Sequence, residues 1–124
     1  NNNNVNFSIE QVDFTGDREL NNFIKTNLYQ YKNSDKNNKI FIEAKSEYNK
    51  FILTKDGKGE VTNYELNAEI VFLIKPTNKQ IKISEKKIME SMADKFEENK
   101  YEKSIKQNFA SSITFKLVQE LIID

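Results

Sequence analysis

Cysteine and histidine are both missing from this chain of 124 residues. Without them, zinc, iron–sulfur, haem and thiol chemistry lose their commonest ligands and nucleophiles, and no cofactor or metal is predicted. Acyl-transfer triads also lose the base that they usually need. The absence of cysteine suits an intracellular protein or a periplasmic protein without disulfides, so it leaves the compartment open.

An excess of either charge is missing as well, since lysine plus arginine and aspartate plus glutamate both number 19. This balance argues against a surface-wide electrostatic contact with nucleic acid or an anionic membrane, and no nucleic-acid partner is predicted. No run of about 18 apolar residues exists, so we expect no segment to span a membrane. The chain starts at Asn1 without methionine, from which we infer that its natural N-terminus, with any signal or anchoring residue, is omitted.

The length suits one domain with one modest core. Only 37% of the residues are hydrophobic, but nine Phe and five Tyr partly compensate because each buries a large area. We predict that residues 1–4 form a flexible tail and that residues 5–124 form a single domain.

The clearest pattern runs from Val61 to Ile74, where apolar residues occupy every second position. This is the period of a strand with one buried face. A long strand is predicted before it, from Ile40 to Lys55, with a bulge or bend near residues 48–49. The turn signal at residues 55–59 joins the two strands into an antiparallel hairpin, with Asp-Gly supplying the positive φ values of the turn.

The remaining segments predict a strand from Val5, which bulges or ends where the alternation changes phase after Ile9, and a further strand containing Ile81, Ile83 and Ile88. Two segments instead have the helical period. One starts near Thr15 or Asp17, either of which could cap it, and places Leu20, Phe23, Ile24, Leu28 and Tyr31 in one apolar stripe. The other covers 99–123, with Phe115 beside its stripe and predicted to face a partner or a sheet edge.

This order of elements, β-α-β-β-β-α, predicts an α+β fold. Two helices with one apolar stripe each can both pack on one face of a four-stranded, mostly antiparallel sheet. The expected architecture is therefore a two-layer sandwich whose other sheet face is left uncovered.

Residue pairs with catalytic potential are few, and each has a simpler interpretation. Ser84 and Lys86 share one strand face, as many solvated pairs do. The carboxylate pairs at 13/17 and 97/98 lack a predicted cleft, and Glu97 and Glu98 are expected to be a solvated helix start. The segment 56–59 matches no phosphate-binding motif and is interpreted as a turn. We therefore predict that the protein is not an enzyme.

Two further groups of residues are candidate binding elements. Lys55 and Lys58 at the hairpin tip, with Lys50 nearby, could meet a phosphate or carboxylate, although lysines at such positions commonly provide solubility and protect against aggregation. Four aromatic residues could line a groove for an acyl chain, or simply form the core under the helices. These are Tyr48, Phe51, Tyr64 and Phe72.

Four segments together resemble the LptE family, the lipopolysaccharide-assembly lipoproteins of Gram-negative outer membranes. They are TGDRELNNFIKTNL (15–28), KIFIEAK (39–45), NYELNAEIVFLI (63–74) and SIKQNFASSITFKLVQELI (104–122). The last of these is similar to the family's closing helix, with a small-residue centre at 110–112. The likeness covers nearly the whole chain and consists of a pattern of elements with scattered matches.

The resemblance implies a non-enzymatic protein, anchored on the periplasmic side of the outer membrane by a lipid on an N-terminal cysteine that this sequence lacks. It implies that the protein plugs an LptD-type β-barrel and contacts lipopolysaccharide during delivery to the cell surface. The candidates for lipopolysaccharide contact are Lys50, Lys55 and Lys58. The alternative is an auxiliary lipoprotein of another periplasmic lipid-transport system.

Overall fold

The computed structural model describes residues 5–123, in which four strands form one sheet and two helices pack against it. The elements are β1 (Phe7–Thr15), α1 (Arg18–Leu28) with a 3-10 turn (Tyr29–Tyr31), β2 (Asn38–Lys55), β3 (Val61–Lys75), β4 (Lys79–Glu90) and α2 (Lys95–Ile123). The strand order is β1-β2-β3-β4, with β1 parallel to β2 and the other neighbours antiparallel. The predicted α+β order is confirmed; the tail predicted for residues 1–4 lies outside the described residues.

Both helices cover the same face of the sheet, here called the inner face, and leave the outer face without a helix. The inner face carries the even-numbered residues of β2 and β3 and the odd-numbered residues of β4, as the strand register requires. The alternation in β3 is confirmed, since every apolar residue on its inner face from Leu66 onwards is buried. These residues are Leu66, Ala68, Ile70, Phe72 and Ile74.

The phase changes predicted in β1 and β2 have different outcomes. In β1 the register shifts at Glu10, so the strand continues through a bulge. In β2 the register runs without interruption through residues 48–49, and the predicted bend there is wrong; the shifts lie between Ile52 and Lys55 instead. The misleading signal came from Phe51 and Leu53, which are apolar but face away from the core.

The turn between β2 and β3 is longer than a two-residue hairpin loop. The backbone N–H of Asp56 donates to the carbonyl of Glu60 at 2.8 Å, and the N–H of Gly59 donates back to the Asp56 carbonyl at 3.0 Å. The left-handed residue is Gly59, with φ of 83°, rather than Gly57 as the Asp-Gly pair suggested. Gly59 is needed where the five-residue loop leads into β3, because the backbone there takes a left-handed conformation.

Two assignments near the end of the chain also change. Ile88 lies on the outer face of β4 and is 55% exposed, while Met89 takes the buried position. Helix α2 begins at Lys95, four residues before the predicted start, because the Asp94 carboxylate accepts the N–H groups that follow it. Glu98 is not solvated as expected: it is buried and accepts the backbone N–H of Met92, which lowers the pKa of its carboxyl.

Candidate binding surfaces

The hairpin tip, residues 51–61, is held in shape by Asp56. Its Oδ1 accepts the backbone N–H of Lys58 at 2.8 Å and that of Glu60 at 3.0 Å. Lys55 and Lys58 are both exposed on this ordered turn, and neither forms an ion pair with another described residue. Two cationic groups are therefore presented to solvent at the far end of β2 and β3.

Lys50 has a different environment from the two tip lysines. It lies on the inner face, where its Nζ binds Glu102 Oε1 of α2 at 2.9 Å and stands 4.3 Å from the ring centroid of Tyr64. Lys55 lies five positions further along the chain, which is about 17 Å in an extended strand. The structure thus keeps Lys55 and Lys58 near each other and places Lys50 in an internal contact; lipopolysaccharide contact by all three stays a prediction.

Three consecutive apolar residues are exposed beside the tip lysines. Phe51, Ile52 and Leu53 are 50%, 56% and 44% exposed. Ile52 pairs with Tyr64 on the inner face, whereas Phe51 and Ile88 both pair with Glu65 of β3 on the outer face. Ile88 therefore extends the apolar surface of Phe51 across the sheet. A run of exposed apolar residues is unusual without a function, and it was visible in the sequence as Phe-Ile-Leu directly before the turn. The tip is therefore amphiphilic as well as basic.

The four aromatic residues proposed for an acyl-chain groove do not share a surface. Phe72 is fully buried, and Tyr48 and Tyr64 pack against the core from its margin. Phe51 lies on the opposite face of the sheet. The alternative that they belong to the core holds for three of them, and only Phe51 is available for binding.

A network of charged side chains joins α2 to the sheet and to the start of α1. Lys106 is only 7% exposed, and its Nζ binds Asp17 Oδ2 and Glu19 Oε1, each at 3.1 Å. The same Nζ lies 4.1 Å from the ring centroid of Tyr48, whose hydroxyl donates to Glu102 Oε2 at 2.6 Å. Burial, together with this hydrogen bond and the neighbouring carboxylates, raises the pKa of Tyr48, so the phenol stays a neutral donor.

The turn between β1 and α1 is fastened to β2 next to this network. Asp17 caps α1 by accepting the N–H of Leu20 at 3.0 Å, and its own N–H donates to Ser46 Oγ at 3.0 Å. The Ser46 hydroxyl then donates to Asn21 Oδ1 at 2.7 Å. Because these groups are satisfied within the fold, we assign Asp17 and its neighbours a structural role.

The outer face carries charges of both signs on β2, β3 and β4. Glu43 binds Lys75 at 2.9 Å, and Glu69 binds Lys82 at 2.6 Å. Apolar side chains lie among them, and a hollow of about 500 Å³ extends over Val71 and its neighbours. No described helix covers this face, so a broad surface with charges of both signs faces outward.

The residue pairs considered for catalysis are not arranged as active sites. Ser84 and Lys86 are both exposed on the outer face, and Asp17 caps α1. Within residues 5–123, no three acidic side chains come close enough to hold a metal ion. Neither α1 nor α2 has an apolar stretch of the length that crossing a bilayer requires.

Three solved structures have a similar fold. The crystal structure of the rare lipoprotein B from Shewanella oneidensis matches with a TM-score of 0.59 at 16% identity, over 90% of this chain and 96% of that chain. A minor lipoprotein from Acinetobacter baumannii matches with a TM-score of 0.59 at 11% identity, over 91% and 95%. The solution structure of an uncharacterized lipoprotein B from Nitrosomonas europaea matches with a TM-score of 0.56 at 16% identity, over 89% and 83%.

Sequence comparisons add no closer relationship. No protein-family model matches the chain, and no curated protein matches it as a relative. At 16% identity or less, the three structural matches establish a common fold. The chain therefore has, over about nine tenths of its length, the fold seen in these bacterial lipoproteins.

Proposed function

We propose that this protein is a non-enzymatic outer-membrane lipoprotein of the LptE type, which seats in an LptD-type β-barrel and assists lipopolysaccharide assembly. The observation that carries the proposal is the fold, which matches structures of bacterial lipoproteins along almost the whole chain. An N-terminal lipid anchors the protein on the periplasmic side of the membrane. The sheet and the hairpin tip supply the contacts with barrel and lipid.

The outer face of the sheet supports a position inside a barrel. The lumen of a large outer-membrane barrel is polar, in contrast to its lipid-facing surface. The outer face offers Glu43, Glu69, Lys75 and Lys82 in mixed-sign pairs, with apolar residues between them. Such a surface can exchange its internal ion pairs for contacts with a polar wall at little cost, since exposed pairs contribute only about 0–1 kcal/mol each.

The length and direction of the hairpin support the same arrangement. Strand β1 runs parallel to β2, so the N-terminal end of the described chain lies at the opposite end of the sheet from the tip. The 18 residues of β2 span about 55–60 Å at the rise of an extended strand. A protein anchored near residue 5 at the inner leaflet can therefore carry its tip across a bilayer whose hydrocarbon core is about 30 Å thick.

The tip has the chemistry to meet an amphiphile with phosphate groups. Lys55 and Lys58 present ammonium groups for phosphate, and the exposed run Phe51–Leu53 presents apolar surface for acyl chains. The apolar run lies near the end of β2, Lys55 ends that strand and Lys58 lies in the turn that follows, so a single ligand can reach both kinds of group. We assign lipopolysaccharide contact to this tip, with Lys55 and Lys58 as its cationic groups.

Co-purification tests the barrel partner. The full precursor with a C-terminal tag would be expressed in its own or a related bacterium, extracted from the outer membrane in mild detergent, and its partners identified. We expect a stoichiometric barrel protein of the LptD type. Recovery of an inner-membrane transporter component, or of no stoichiometric partner, would overturn the plug function and favour an auxiliary lipoprotein of another lipid-transport system.

Charge reversal at the tip tests the ligand contact. In the double variant Lys55→Glu with Lys58→Glu, we expect the dissociation constant for purified lipopolysaccharide to rise about tenfold, because two phosphate contacts of under about 1 kcal/mol each are replaced by repulsion. Titration followed by fluorescence anisotropy measures it. Lys32→Glu with Lys39→Glu makes the same charge change at exposed positions at the other end of the sheet. Equal losses in both double variants would mean that the tip has no specific contact.

A further inference from the structure

Strand β4 forms one edge of the sheet and is open along its whole length. It pairs with β3 from Lys79 to Glu90 without a register shift, and no described strand pairs with its other side. Twelve residues make a long strand, and neither a proline nor a bulge interrupts it. Natural sheets usually shorten, bend or cover such an edge, because it can pair with another chain.

The register shows which backbone groups of β4 are unpaired. The N–H of Ser91 donates to the carbonyl of Thr62 at 2.9 Å, so these two residues form a hydrogen-bonded antiparallel pair. Hydrogen-bonded pairs recur at every second residue, and the register between β3 and β4 is unbroken. The backbone groups of the odd-numbered residues of β4 therefore bond to β3. The even-numbered residues, including Lys82, Ser84 and Lys86, therefore direct N–H and C=O groups toward the open side.

A groove runs beside this open edge, between β4 and α2. Its volume is about 500 Å³, and it is lined by residues 80–84 of the edge and by Phe115, Lys116, Gln119 and Glu120 of the helix. Glu120 pairs with Lys79 at 3.6 Å. Phe115 is 65% exposed, although it lies on a helix whose other large apolar residues nearby are buried. An aromatic ring is thus exposed next to a row of unpaired backbone donors and acceptors.

We propose that β4 binds an extended segment of a partner protein, which adds a fifth strand to the sheet and in which acidic and apolar residues alternate. Its backbone pairs with residues 80–88, its apolar face lies on Phe115, and its acidic face lies beside Lys82 and Lys86. This interaction goes beyond the barrel and lipid contacts proposed above and does not depend on them.

The charges on the edge disfavour a second copy of the chain that pairs about Ser84. Lys82 and Lys86 stand four residues apart on the outer face, so an antiparallel segment presents two side chains to them at the same spacing. If two β4 strands paired about Ser84, Lys82 of each copy would face Lys86 of the other, which is destabilising. Lys82 already pairs with Glu69 at 2.6 Å, whereas Lys86 forms no ion pair with the described residues. Lys86 is therefore the cation whose charge is available to a carboxylate of the partner.

A seven-residue synthetic peptide tests the proposal, with glutamate at alternate positions and valine, phenylalanine and valine between them. We expect amide shifts confined to residues 80–88 and the Phe115 region in two-dimensional NMR of the full chain. A peptide with lysine in place of glutamate should bind at least about tenfold more weakly, since like charges then meet across the edge.

Three variants separate edge binding from a general loss of structure. Ser84→Pro removes an N–H that points to the open side and does not bond to β3. Phe115→Ala removes the aromatic contact, and Lys86→Glu reverses the charge at the edge. Each should weaken peptide binding by about fivefold or more, whereas Phe96→Ala, which removes a 68%-exposed aromatic elsewhere on α2, should leave it unchanged.

Two results would overturn the proposal. The first is the absence of peptide binding at millimolar concentration, or binding at another site. Binding at another site would give amide shifts outside residues 80–88 that do not respond to Phe115→Ala or Lys86→Glu. The other is self-association through β4, detected by sedimentation and abolished by Ser84→Pro, because it would identify a second copy as the occupant.

Discussion

Gly16→Ala is expected to lower the free energy of unfolding by about 3 kcal/mol or more, because two costs add at this position. Gly16 has φ of 106°, a conformation that side chains other than glycine rarely adopt. An added Cβ would also stand 2.0 Å from the backbone carbonyl oxygen of Ser46. That oxygen belongs to β2, where Ser46 pairs with Ile70 of β3 and the preceding residue, Lys45, pairs with Thr15 of β1. It therefore cannot move away without disturbing the sheet.

The other two glycines separate these costs. Gly59 has φ of 83° but open space around it, and Gly57 has neither a positive φ nor a close neighbour. We expect Gly59→Ala to cost about 1 kcal/mol and Gly57→Ala to be neutral or slightly stabilising. Urea unfolding followed by circular dichroism compares the three. A loss for Gly16→Ala no larger than that for Gly59→Ala would show that the turn does not press against β2.

Lys106→Ala is expected to lower the free energy of unfolding by about 2 kcal/mol. The substitution leaves Asp17 and Glu19 without their shared cation and removes the side chain that covers the Tyr48 ring. Breaking a fully buried ion pair costs about 3–5 kcal/mol. The carboxylates here keep part of their contact with water, since their side chains are 26% and 45% exposed, which reduces the expected loss.

Two further variants show which part of Lys106 matters. Lys106→Met keeps an unbranched apolar stem over Tyr48 and removes only the charge, and we expect it to cost about 1 kcal/mol or less. Lys103→Ala, at an exposed position on the same helix, should change stability by less than about 0.5 kcal/mol. Thermal and urea unfolding measure all three, and equal values for Lys106→Ala and Lys103→Ala would mean that the network adds no stability.

The elements predicted correctly are those whose pattern is local. Alternation along β3 identified the buried face of the sheet, because side chains on a strand point to opposite faces in turn. The stripe from Leu20 to Tyr31 and the rows of α2 identified the two helices in the same way. The capping aspartate of α1 was also recognisable, since a cap acts on backbone groups within three residues of itself.

The errors arose where burial depends on distant parts of the chain. Phe51, Leu53 and Ile88 are as apolar as core residues, yet they lie on the face that no helix covers. Their exposure follows from the strand register and from the choice of face by α1 and α2, which no short window of sequence contains. The apolar run beside Lys55 and Lys58 is visible in the sequence, but its exposure follows from the same distant contacts.

The burial of charged residues also depends on distant parts of the chain. Lys106 lies within the apolar rows of α2, and its burial is acceptable only because Asp17 and Glu19 arrive from the start of α1. Local periodicity therefore determined the fold class, the strands and helices and one buried face. Tertiary structure decided which apolar residues stay exposed, which charges are buried and which sheet edge stays open, because each depends on contacts between segments far apart in the chain.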